Sequence, residues 1–159
     1  TSADTILVHD AYYLQTIPAE DVVQWVSPWQ QNTDILTVPE GESSLRLEGY
    51  WPQDFTVLSL WGHIHERGAA VRFEIKGDQG WETFYEVNPW DPALTNSPLP
   101  MQFEPGALTF AAGTQVATVC TWDNDTGETI TFPDEMCATQ GVGYSSKSTV
   151  SITSSSSQE

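Results

Sequence analysis

Ala70-Val71-Arg72-Phe73-Glu74-Ile75-Lys76, then Gly77-Asp78-Gln79-Gly80, then Trp81-Glu82-Thr83-Phe84-Tyr85-Glu86-Val87 is the stretch that decides the fold class. Val71, Phe73 and Ile75 alternate with Arg72, Glu74 and Lys76, the period-2 pattern of a strand with one buried face. Gly77–Gly80 supplies turn residues between the two runs, so a β-hairpin is expected there. Working outward, further strand signals fall at Ser44–Glu48, Thr56–His65, Ala107–Ala111, Gln115–Thr121 and Thr129–Phe132. Short β-branched and aromatic runs cut by Gly, Pro, Asn and Asp predict an all-β protein, an antiparallel β-sandwich.

Other segments carry weaker signals. Pro18–Trp25 is the one stretch that reads as a helical turn, and Pro28 ends it. Asp123–Gly127 reads as a second hairpin turn; it has a faint calcium-loop character without the full ligand pattern, and Asn124-Asp125-Thr126 fits a glycosylation acceptor. Asn88–Pro105 is proline-rich and is expected to be a long ordered connection across one end of the sandwich. Residues 1–153 read as a single domain, with Thr149–Ile152 as a last strand and 154–159 as a disordered Ser-rich tail.

The 159 residues suit one domain with a sizeable core, and the 11% aromatic content is that of a globular chain. Against 22 Asp+Glu stand only 5 Lys+Arg, a formal net charge of −17. A field of that sign repels phosphate backbones and anionic lipid heads, which excludes nucleic acid and membrane surfaces as partners, and it attracts cations, metal ions included. There is no apolar run of membrane-spanning length, so no membrane insertion is expected. Thr1-Ser2-Ala3-Asp4 has no basic or apolar leader region, and the expectation is that a signal segment has been removed. The two cysteines, Cys120 and Cys137, form no CxxC motif and read as one structural disulfide, hence a secreted or periplasmic protein.

Two histidines stand at the end of the strand signal Thr56–His65. In His63-Ile64-His65 the imidazoles share one face of a strand, about 6.5–7 Å apart along the chain, within reach of a single metal ion. Met136 lies in a polar, turn-like setting, Phe132-Pro133-Asp134-Glu135, where a core methionine is less expected, and Cys137 next to it fixes its backbone. Two imidazoles and a soft thioether favour Cu(I), whereas zinc would take Glu135 or Asp134 as its third ligand.

Read in order, Val38-Pro39-Glu40-Gly41, His63-x-His65-x-x-Gly68, Gly113, Val119-Cys120-Thr121-Trp122-Asp123-Asn124 and Glu135-Met136-Cys137 make a series. From about Val38 to Tyr144 the chain resembles the carboxy-terminal catalytic domain of the copper type II, ascorbate-dependent monooxygenases. That group contains peptidylglycine alpha-hydroxylating monooxygenase and dopamine beta-monooxygenase. The resemblance implies a β-sandwich of jelly-roll type, one copper ion held by His63, His65 and Met136, and a Cys120–Cys137 disulfide. It also implies dioxygen chemistry on a small organic substrate, with electrons from ascorbate, another external reductant or a redox protein.

The chain departs from that pattern in two ways. Family enzymes carry a second domain with a three-histidine copper, and this sequence has three His in all, two of them in the pair. The positions at which peptide-hydroxylating members hold substrate carry Trp61, Ala138 and Gln140 instead. A non-catalytic copper protein for transport, storage or scavenging is therefore the alternative to an enzyme. His9 reads as structural unless the amino-terminal segment crosses the metal, and Trp51 and Trp61 read as core or pocket wall.

Overall fold

The structure, a computed structural model, describes residues 22–26, 36–145 and 153–155. In chain order the strands are β1 (Val22–Val26), β2 (Thr37–Val38), β3 (Gly41–Tyr50), β4 (Phe55–His63), β5 (Gly68–Gly77) and β6 (Gly80–Val87). After a 3-10 turn at Pro92–Thr95 come β7 (Met101–Gln102), β8 (Thr109–Phe110), β9 (Gln115–Asn124), β10 (Ile130–Thr131), β11 (Ala138–Tyr144) and β12 (Thr153–Ser155). Among the described residues there is no α-helix.

One sheet runs β1-β11-β4-β7, with β8 also on β4; the other runs β12-β3-β9-β5-β6; β2 and β10 make a small third pair. All pairings are antiparallel. Apart from the steps β5–β6 and β7–β8, which stay in one sheet, the chain crosses between the two large sheets, and the orders β1-β11-β4-β8 and β3-β9-β5-β6 are those of a jelly roll. The hairpin expected at Gly77–Gly80 joins β5 and β6, with Gly77 paired to Gly80 and Gly80 at φ 115°, a backbone that favours glycine.

Between the sheets lie two groups of buried side chains. At one end Trp51 stacks on Phe55 (4.8 Å) and Phe110 (5.3 Å) while Trp25 meets it edge-on at 5.3 Å, which makes Trp51 core rather than pocket wall. At the other, Leu36, Val38, Ile64, Val71, Trp90 and Trp122 surround the Cys120–Cys137 disulfide. The disulfide joins β9 to the residue before β11, and two residues away a buried hydrogen bond of 3.0 Å from Thr118 to Thr139 joins the same two elements. These two ties hold one sheet against the other.

Several expectations are corrected. Val22–Trp25, read as part of a helical turn, lie in β1, paired with β11; residues 18–21 lie outside the described residues. A neighbouring strand offers a full ladder of hydrogen bonds, which one isolated helical turn does not. Asp123 and Asn124, expected in a hairpin turn, end β9 instead, and the bend after them joins no hairpin, because β10 pairs with β2 and the partner of Asn124 is Gly41 of β3. Asn124 is buried, its amide nitrogen 2.7–3.1 Å from the carbonyls of Val38, Pro39 and Glu128. An amide so enclosed is no glycosylation acceptor. The strand expected at Thr149–Ile152 lies outside the described residues, and the strand that pairs with β3 there is β12, which includes Ser154 and Ser155. The connection 88–105 does run ordered along the sandwich, bonded to Ala69, Ile64 and Leu58 through Trp90, Thr95 and Phe103.

The strand β11 gave no sequence signal, because its inward positions include glycines. A Cβ built on Gly141 would overlap the Ser59 carbonyl and the Trp25 ring, and one on Gly143 would overlap the Thr56 carbonyl and the Phe55 ring. These glycines let two large aromatics pack against bare backbone. Gly141→Ala is accordingly expected to lower stability by about 1–3 kcal/mol, read from the urea midpoint, and an unchanged midpoint would contradict this packing. Replacing both Cys120 and Cys137 by Ser should cost about 2–4 kcal/mol in the same measurement.

Candidate metal centre

The face on which His63 stands follows from the register of β4 and β11. Thr139 points inward to reach Thr118, and a Cβ on its partner Gly62 would strike Val71 in the core. By alternation, His63 stands on the opposite face of the sheet from Gly62, beside its register partner Ala138, which is itself fully buried. Ile64 is fully buried, which leaves His65 on the same side as His63. Met136 lies two residues before Ala138, past the last pair of the ladder.

The two imidazoles meet. His63 Nε2 and His65 Nε2 are 3.3 Å apart, with ring planes at 90°. His65 Nδ1 lies 3.0 Å from the Asp134 carbonyl oxygen, an acceptor only, so this nitrogen carries the proton and donates it. The Nε2 lone pair of His65 therefore faces His63. In the metal-free protein His63 Nε2–H donates to that lone pair; once His63 carries its proton on Nδ1 instead, both lone pairs point to one place. A ligating histidine whose other ring nitrogen donates to a backbone carbonyl is the ordinary arrangement in metal sites.

Met136 is half-buried against the core group that contains Ile64, Cys137 and Ala138. Its backbone is held on both sides. Cys137 is bonded to Cys120, and the carboxylate of Glu135, only 1% exposed, is the acceptor for four N–H groups. One oxygen accepts from the backbone of His65 (3.0 Å), from Trp122 Nε1 (3.1 Å) and from the backbone of Met136 (3.3 Å). The other accepts from the backbone of Arg67 at 2.8 Å.

That arrangement corrects the zinc alternative. Glu135 spends its carboxylate on N–H groups, and Asp134 meets His65 through its backbone carbonyl. Among the described residues no three His, Cys, Asp or Glu side chains come together as a ligand set. The donors brought together are two imidazoles, while the Met136 side chain packs against the core group; two imidazoles joined by that thioether would be a soft set that fits Cu(I). His9 lies outside the described residues.

Glu135 and Trp122 have roles that the sequence did not disclose. A glutamate in a polar loop looks solvated, and nothing local shows that its partners are backbone groups some seventy residues earlier. Trp61 is half-buried on the outer face two residues before His63, with Gln140 as its register partner. On the Asp134 side of His65 lies an open hollow of about 650 Å³, lined among others by Arg67, Thr95, Asn96, Glu128 and Thr131.

No model of a protein family and no curated protein matches the chain. Among solved structures it is similar to the Yersinia pseudotuberculosis-derived mitogen, at 10% identity over 77% of this chain and 84% of that one, with a TM-score of 0.35. At that distance nothing about the chemistry of the site is transferred.

Burial pushes the His63 pKa below its ordinary value, the nearby His65 pushes the same way, and Glu135 pulls weakly against both. In the metal-free protein the unfolded chain thus binds this proton more readily than the folded chain. This group's effect on stability is absent above about pH 6.5 and grows unfavourable as pH falls toward the folded value. An NMR titration should give His63 a midpoint below that of a free histidine, and His63→Ala should remove that part of the pH slope. A midpoint at or above about 6.5 would contradict the burial.

Proposed function

We propose that the protein binds one copper ion, as Cu(I), through His63, His65 and Met136. The observation that carries this reading is the approach of the two Nε2 atoms to 3.3 Å while His65 Nδ1 is committed to the Asp134 carbonyl. Two facing, half-buried imidazoles suit an ion that both can reach. The formal charge of −17 favours cation capture. A copper ion held there would supply one-electron redox chemistry and dioxygen activation.

The residues of the chain would divide the work. His63 and His65 give neutral nitrogens, the Asp134 carbonyl keeps the proton on His65 Nδ1, and the Met136 thioether biases the set toward the reduced ion. The closed disulfide agrees with an oxidising compartment, and we place the protein in the periplasm or outside the cell. Among the described residues no helix is long and apolar enough to cross a membrane.

Turnover of a small organic substrate is what the resemblance to the ascorbate-dependent monooxygenases suggests; the hollow beside His65 lies on its Nδ1 side and is lined by neither His63 nor Met136. The opposing observation is the histidine count: with three in the sequence and two in the pair, these residues build no second, three-histidine copper. Electrons would come from ascorbate, another external reductant or a redox protein. The second reading is a copper carrier without turnover.

Competition with a Cu(I) chelator tests the binding. His63→Ala or His65→Ala should abolish tight binding, and Met136→His should keep it. Unchanged affinity in both alanine variants would overturn the proposal. Wild-type affinity should fall below about pH 6.5, where imidazoles protonate. Given ascorbate and oxygen, a hydroxylated product from a substrate panel would mark an enzyme, and suppression of ascorbate oxidation below the free-copper rate with no product would mark a carrier.

A further inference from the structure

We infer that Glu135 is the positioning residue of this site: its buried carboxylate locks the loop that carries His65 to the loop that carries Met136. The inference rests on the copper-binding reading and adds a residue to it, one that touches no ligand atom.

The two loops come from distant parts of the chain. His65 follows the end of β4, Met136 precedes β11, and the ladder between those strands stops at the pair His63–Ala138. Beyond that pair no backbone bond of the ladder holds His65 and Met136 in register. Glu135 takes over at that point. A single oxygen accepts from the backbone nitrogens of both residues, at 3.0 and 3.3 Å, so the two ligand-bearing residues share one acceptor atom. The same oxygen accepts from Trp122 Nε1 of β9, and the second oxygen accepts from Arg67, which extends the lock to the far side of the His65 turn.

Chemistry favours a carboxylate for this place over any other side chain. Four N–H donors converge on two oxygens, and at 1% exposure no water is at hand to replace a lost acceptor. An amide offers one oxygen and puts an NH₂ group against at least one of the donors. The disulfide at Cys137 restrains Met136 toward β9 only, and it says nothing about the distance to His65. Glu135 is the group that relates one to the other. The pairing of His65 Nδ1 with the Asp134 carbonyl depends on the same lock, because Asp134 adjoins Glu135.

Two measurements test this. In the metal-free wild type, hydrogen exchange should show the amides of His65, Arg67 and Met136 opening together, with protection factors within about threefold of one another. Protection of His65 more than about tenfold above Met136 would overturn the shared lock, whether or not copper binds. In the second, Glu135→Gln should lower Cu(I) affinity by about 10–100-fold and weaken the sulfur signal in X-ray absorption, with the imidazole signal kept. A folded Glu135→Gln protein with wild-type affinity and wild-type sulfur signal would overturn the positioning role. If the wild type itself binds no copper, the functional proposal falls, and the exchange experiment still judges the lock.

Discussion

The antiparallel register of β4 with β11 governs what this molecule can present to solvent. Thr139 reaches inward to Thr118, Gly62 lies over Val71, and Gly141 and Gly143 lie under Trp25 and Phe55, so four positions along the pair admit only one alignment. Because side chains alternate, a slip of one residue would send His63 into the core and bring Thr139 out to water. The placement of both imidazoles on the outer face is a consequence of what is packed on the inner one.

The ladder hands over to side chains where it ends. The disulfide and the Thr118–Thr139 bond fix β11 against β9, while the Glu135 carboxylate gathers the loops past the last strand pair. This division leaves the site on short, tied loops at one end of a rigid sandwich, the kind of support a ligand set needs to keep its geometry. Arg46 and Arg72 are used elsewhere: both pair with the buried Glu74 on the outer side of the opposite sheet. Burial alone would push Glu74 up, and the two arginines more than offset it, holding its carboxyl below the usual range.

How much of this could be read from the sequence depended on whether the cause was local. The β5–β6 hairpin was legible, because alternation and turn glycines are properties of neighbouring residues. The histidine pair was legible through its spacing, and the disulfide through the count of cysteines. The strand β11 was not, since its glycines weaken every local strand signal and make sense only beside Trp25 and Phe55. Asn124 looked like a surface acceptor and is a buried clasp for Val38, Pro39 and Glu128, because its partners come from distant chain. Glu135 invites a reading as a metal ligand for the same reason: a carboxylate next to a candidate ligand looks like a ligand until its N–H partners are seen.

In the proposed site, two imidazoles and one thioether converge on one ion. X-ray absorption of the wild-type protein carrying one equivalent of Cu(I) tests it most directly. Imidazole scattering from two histidines together with one sulfur shell is expected, and Met136→Leu should remove the sulfur alone. A wild-type spectrum with nitrogen or oxygen neighbours only, left unchanged by Met136→Leu, would contradict it.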